Sequence, residues 1–256
     1  MKRLVLWSAL FTLATSGGIR AQGVPANVPP SAKAAAPVDL TGYWVSVVTE
    51  DWRWRMTTPL KGDAASIPIN AEARKIVDAW DPAKDEAAGL QCKAYGAPGI
   101  MRVPGRLHIT WQDDNTLKIE TDAGMQTRLF HFGGQAPAHA EESWQGYSAA
   151  HWHLSEGGPG GGLGLARRAE LQSRSLEVVT TNLRPGYLRK NGVPYGDKTV
   201  LTEYYDRFTE PSGDEWFTVT TIVTDPQYLG SPFVTTTDFK RQTDAAGWDP
   251  RPCSAR

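Results

Sequence analysis

The chain has 256 residues, is 40% hydrophobic and carries a formal net charge of −1 at neutral pH. That is enough apolar material for a sizeable core, and the charge balance lacks the footprint of a nucleic-acid or anionic-membrane binder. Ten tryptophans supply large rings that pack cores, line pockets and stack on planar ligands.

Lys2 and Arg3, an apolar run over residues 4–15 and small residues over 16–21 follow the order of a secretory signal peptide, with cleavage expected after Ala21. No later stretch approaches the roughly 20 apolar residues that span a bilayer, so no stable membrane insertion is expected. The mature chain is therefore expected to be exported, to the periplasm where the cell has two membranes. In that oxidising setting the only cysteines, Cys92 and Cys253, favour a disulfide; two buried thiols or a metal site are the alternatives. Residues 22–38, rich in Ala, Pro and Val, read as a flexible lead-in. Residues 39–256 then form one domain.

Order begins with DLTGYWVSVV, a glycine turn feeding a strand. The G-x-W step at Gly42–Trp44 resembles the opening of lipocalin-type barrels. Beyond it Trp52 and Trp54 alternate with Arg53 and Arg55, a period-two pattern that places aromatics on one face and cations on the other. The one convincing helix covers residues 70–79, with Asn70 as cap, Glu72 in the first turn and Asp81-Pro82 as stop. Residues 85–104 read as loop. From Arg106 the chain alternates with turns at about ten-residue spacing, through Leu107, Ile109 and Trp111, then Leu117 and Ile119, then 125–132; this is antiparallel sheet. A strand is expected over 144–154, and residues 156–165 form a glycine-rich insertion with no phosphate-loop context.

The densest polar material lies in 176–241. A strand at 176–182 precedes the basic, aromatic loop LRPGYLRKNGVPYG, and strands follow at 199–208, 215–225 and 233–241, the first two joined by a polar turn. The expected architecture is all-β: about ten antiparallel strands in a barrel or clam, lipocalin-like as nearest analogy, with one short covering helix.

Several blocks (Gln91-Cys92, IMRVPGRLHI, LKIET, TRLFHF, SWQGYSAAHW, SLEVVTTNL, RKNGVPY, VLTEYYDR and FTVTTIVTDPQYL) resemble a broad family of secreted bacterial β-rich proteins with no assigned activity. The resemblance implies a shared fold and export and carries no reaction. Relatives commonly read Trp-Glu-Gly-Asp where this chain has Trp152-His153-Leu154, so a role for His153 would belong to this branch.

No nucleophile motif names a reaction. His151 and His153 share a strand face, and His131 lies on another strand, so a transition-metal site competes with ordinary hydrogen-bonded histidines; otherwise no cofactor is expected. Glu203 and Asp206 fall on opposite faces, which argues against a glycosidase pair. The leading expectation is an exported protein binding an aromatic or apolar small molecule, with Arg184, Arg189, Tyr195, Trp52, Trp54 and Arg53 as contacts. The alternatives are a cofactor-independent lyase, isomerase or hydrolase using Tyr204, Asp206 and Tyr187, and an envelope interaction module.

Overall fold

The computed structural model describes residues 29–134, 136, 141–154 and 174–255. The expected signal peptide, the start of the lead-in and the glycine-rich insertion lie outside the described residues. Strand β1 (Gly42–Val47) is followed by four short helices, α1 (Trp52–Arg55), α2 (Ala71–Ala79), α3 (Pro82–Ala87) and α4 (Ala97–Ile100). The sheet resumes with β2 (Arg106–Asp113), β3 (Thr116–Thr121), the two-residue β4 (Ala123–Gly124), β5 (Thr127–Phe132) and β6 (Tyr147–Leu154). Then come β7 (Arg174–Thr181), the small pair β8 (Gly186–Arg189) and β9 (Val193–Tyr195), and β10 (Val200–Thr209). The last strands are β11 (Glu215–Thr224), β12 (Phe233–Gln242) and the short β13 (Arg251–Pro252).

Nine strands close into a barrel in the order β1-β12-β11-β10-β7-β6-β5-β3-β2. The all-β expectation holds, with one difference in pairing: β5 and β6 run parallel, Phe130 opposite Ser148 and Phe132 opposite Ala150. An odd number of strands in a closed ring cannot alternate direction all the way round, so a parallel seam is required. The start of β6 therefore stands at the end of the barrel where β5 begins. A second parallel pair joins β13 to β4, next to the disulfide Cys92–Cys253, which spans 161 residues of sequence.

The interior is packed with large side chains. Period-two alternation turns Trp44, Ile109, Ile119, Phe130, Val178, Tyr205, Phe217 and Phe239 inward, all at or near zero exposure. Trp44 meets Phe217 edge-on at 4.7 Å, and Phe217 stacks on Phe239 at 4.8 Å. One end of this core is polar: Arg128 forks onto Glu203, with Tyr205 and Thr180 within reach of the guanidinium.

The helix over 70–79 forms as expected, the Asn70 side chain accepting from the N–H groups of Glu72 and Ala73. The other helices depart from the expectation. Residues 52–55 are α1, not a strand, because Asp51 takes a left-handed φ of 51° and coils the chain as it leaves β1. Asp81 and Pro82 both end α2 and start α3, Asp81 capping Ala83 N–H at 3.0 Å. The lead-in is docked from Ser31: Ala32 N–H donates to the Asn115 side chain and the Trp152 indole donates to Ala32 O, both at 2.9 Å. Among the described residues, no helix is long and apolar enough to cross a membrane.

Candidate functional site

The strand registers bring the finish of β1, β3, β7 and β11 and the start of β2, β6, β10 and β12 to one end of the barrel. Helices α1, α2 and α4 and the β8–β9 hairpin belong to this end. The hairpin turns through Lys190, Asn191 and Gly192 between the paired Arg189 and Val193. Gly192 has a φ of +83°, and a side chain there would also run into Trp80, so the turn needs glycine. Asn191 is buried and its amide donates to Leu60 O and Asp63 O at 2.8 and 2.7 Å, clamping the 60–66 segment against the hairpin.

Three arginines converge beneath α1. Arg55 donates Nε to Arg102 O at 3.0 Å and pairs with Glu50 through Nη1. Arg102, just past α4, holds Asp51 through Nη2 at 2.6 Å. Arg189 donates to Ala65 O at 3.1 Å and to Ser66 Oγ at 3.3 Å, and stacks its guanidinium 5.0 Å from the Trp54 ring centre. Asp63 anchors Trp54 by accepting its indole N–H at 3.0 Å. That bond, ahead of the charges of Arg53 and Arg189, holds the Asp63 carboxyl below its ordinary range.

These side chains line a cleft with Lys190, Thr57, Gly99 and an apolar wall of Ala94, Val103, Pro104 and Leu188; its free space is about 40 Å³, enough for the head of a small ligand. Arg55, Arg102 and Arg189 are each only 6–7% exposed, yet Arg55 Nη2 and Arg102 Nη1 have no hydrogen-bond partner among the described residues. A buried guanidinium N–H left unpaired is costly, and like charges add to the cost. Burial first, then the charge of Arg102, push the Arg189 guanidinium down to about 10, so it stays charged at neutral pH. Burial likewise lowers Arg55, with Glu50 opposing and Arg102 adding to the effect. An anion held against these arginines would offset the repulsion among the cations.

Of the residues singled out in the sequence, Arg189 and Trp54 are at this cleft, and Arg53 stands beside it, 3.8 Å from Asp63 but largely exposed. The others are elsewhere. Trp52 is 68% exposed on α1. Arg184 lies over the Trp144 ring at 4.7 Å. Tyr195 is buried close to Gly96 and Gly186, and its hydroxyl has no hydrogen-bond partner among the described residues. Arg55 and Arg102 were not singled out as binding residues. Arg55 carried the signal in the WRWR run; a lone arginine in IMRVPGR carries none, because its burial is set by the tertiary packing of α4.

The expected catalytic trio does not assemble. Tyr187 gives its hydroxyl proton to Asp85 at 2.8 Å beside Lys93, and burial, reinforced by Asp85, holds it well above the ordinary tyrosine range. It is a hydrogen-bond donor, not a base. Tyr204 and Asp206 stand on the outer face of β10, where Tyr204 Oη reaches Glu177 at 3.3 Å. Burial raises the Asp206 carboxyl, with His153 opposing.

The expected histidine set changes in one member. His151 and His153 do converge, but their partner is Glu177. His131 is opposite Thr116 and Ala149 in the sheet, and its ring is stacked on Tyr147 at 4.9 Å. No family model, curated protein or solved structure matches this chain.

Proposed function

We propose that the protein is an exported binder of a small organic anion, a carboxylate with a short apolar or aromatic body, taken head-first into the arginine cleft beneath α1. The observation that carries this reading is the pair of unpartnered donors, Arg55 Nη2 and Arg102 Nη1, on side chains buried around free space. Large buried side chains occupy the barrel interior, which favours the end of the barrel over its lumen as the place for a ligand. Ala94, Val103, Pro104 and Leu188 would meet an apolar body, while the forked guanidinium groups suit a planar carboxylate. Binding is favoured over catalysis because no Asp, Glu, His or Tyr is among the described residues lining the cleft, and the acids that reach its arginines, Glu50 and Asp51, are held in ion pairs by Arg55 and Arg102. The disulfide supports an oxidising, exported setting.

The test is a calorimetric titration of the oxidised protein with benzoate, butanoate and the neutral benzyl alcohol. Benzoate or butanoate should bind and raise the melting temperature at fixed ionic strength, benzyl alcohol should not, and Arg55→Gln should abolish the difference. Equal response to the carboxylates and the alcohol, or none to either, would overturn the assignment.

A further inference from the structure

The outer wall of the barrel carries a second constellation that the anion cleft does not use. On β6, His151 and His153 are two residues apart, so both rings project outward while Trp152 between them packs toward Trp111 and Phe132. Glu177 on β7 is directly opposite His151 in the register. One carboxylate oxygen, Oε2, faces His151 Nε2 at 2.9 Å and His153 Nδ1 at 3.8 Å. The ligand-capable atoms of all three side chains lie within 4.8 Å of one another.

We propose that His151, His153 and Glu177 form a divalent-metal site of the zinc class, with two imidazoles and one carboxylate as ligands and the remaining position open to solvent. Zinc bonds of about 2.0–2.2 Å in a tetrahedron space the ligand atoms roughly 3.3–3.6 Å apart; the two separations to Glu177 Oε2 bracket that range, and the imidazole nitrogens lie within 4.8 Å of each other. The frame is rigid where it must be, because β6 and β7 are paired without interruption from Tyr147 to Leu154. Tyr204 on β10 reaches the other carboxylate oxygen, Oε1, at 3.3 Å. It therefore acts as a positioning residue, steering Glu177 and leaving Oε2 for the ion. The donor set, imidazole with carboxylate and no thiolate, suits Zn²⁺ and Cu²⁺ over the hard Ca²⁺ and Mg²⁺.

The experiment is calorimetric titration of Zn²⁺ alone into chelator-treated, disulfide-intact protein. One equivalent should bind and release protons, seen as a dependence of the heat on buffer ionisation enthalpy. Tyr204→Phe should weaken binding about tenfold, as for an outer partner of a ligand, and Glu177→Gln or His151→Ala by more. The control His108→Ala/His131→Ala should bind as the parent does. Because the three ligands are partly or largely exposed, their replacements should melt near the parent temperature. Absence of Zn²⁺ binding, or binding unchanged in His151→Ala/His153→Ala, would overturn the site.

Discussion

Arg128 and Glu203 form a bidentate ion pair at 2.9 and 2.6 Å inside the barrel, with no exposure of either side chain. Burial alone would push the arginine toward neutrality, but Glu203 beside it reverses the direction and raises it above its ordinary value. The fork joins β5 to β10 across the interior, two strands separated in the ring by β6 and β7, so it acts as a strut.

Breaking the strut on one side should be severe. Glu203→Leu or Arg128→Met leaves a buried charge without its partner and should cost about 3–5 kcal/mol. Replacing both, as Arg128→Met/Glu203→Leu, should recover most of that loss, because an apolar pair needs no compensation. Urea denaturation of the three variants measures the coupling. A double variant as unstable as the sum of the singles would contradict the strut.

Alkaline pH should unfold the protein through its tyrosines. Burial raises Tyr195 and, more strongly, Tyr205, where Glu203 adds to the effect and Arg128 opposes it. Both are neutral in either state below the ordinary phenol value near 10. Above it the unfolded chain loses protons that the native protein keeps, so stability falls by about 1.4 kcal/mol per pH unit per tyrosine. Phenolate absorbance should therefore lag for these residues and rise together with loss of the near-ultraviolet dichroism. Full titration in the folded state would contradict this.

The disulfide Cys92–Cys253 holds the segment before α4 to the C-terminal strand β13. Closing so long a loop restricts the unfolded chain, and Cys92→Ser/Cys253→Ser should cost about 2–5 kcal/mol, read as a lower guanidinium midpoint. An unchanged midpoint would mean that the cross-link contributes nothing to stability.

Arg189→Gln separates binding from stability. The variant loses two hydrogen bonds but also removes the like charge facing Arg102, so the ligand-free melting temperature should move by only a few degrees. The upward shift with benzoate should disappear. A variant that melts far lower and keeps the benzoate response would place Arg189 in the scaffold.

Much of the barrel was legible because one face of each strand is buried. The alternation at Leu107, Ile109 and Trp111, and again through 199–241, reappears as β2 and β10–β12. Trp52–Arg55 misled for a physical reason: four residues are too few to tell a period of two from a helical turn, and the left-handed Asp51 leaves no clear mark in the sequence. The parallel β5–β6 seam is equally invisible, since it follows from how many strands close the ring. At the cleft, the chemistry of Arg189 and Trp54 was readable but their partners were not. Arg102 becomes a site residue only because α4 is buried and delivers it beneath α1.

Closure of the ring has a consequence for folding order. β1 pairs with β12, Tyr43 opposite Gln242, about the full length of the domain away in sequence. The first strand made is thus held on one side by nearly the last, and until residues 233–242 are in place both β1 and β11 present open hydrogen-bonding edges. Such a chain crosses its hardest step late, at a contact that is as non-local as this fold allows, and a partly finished molecule is primed to pair with its neighbours before it can pair with itself.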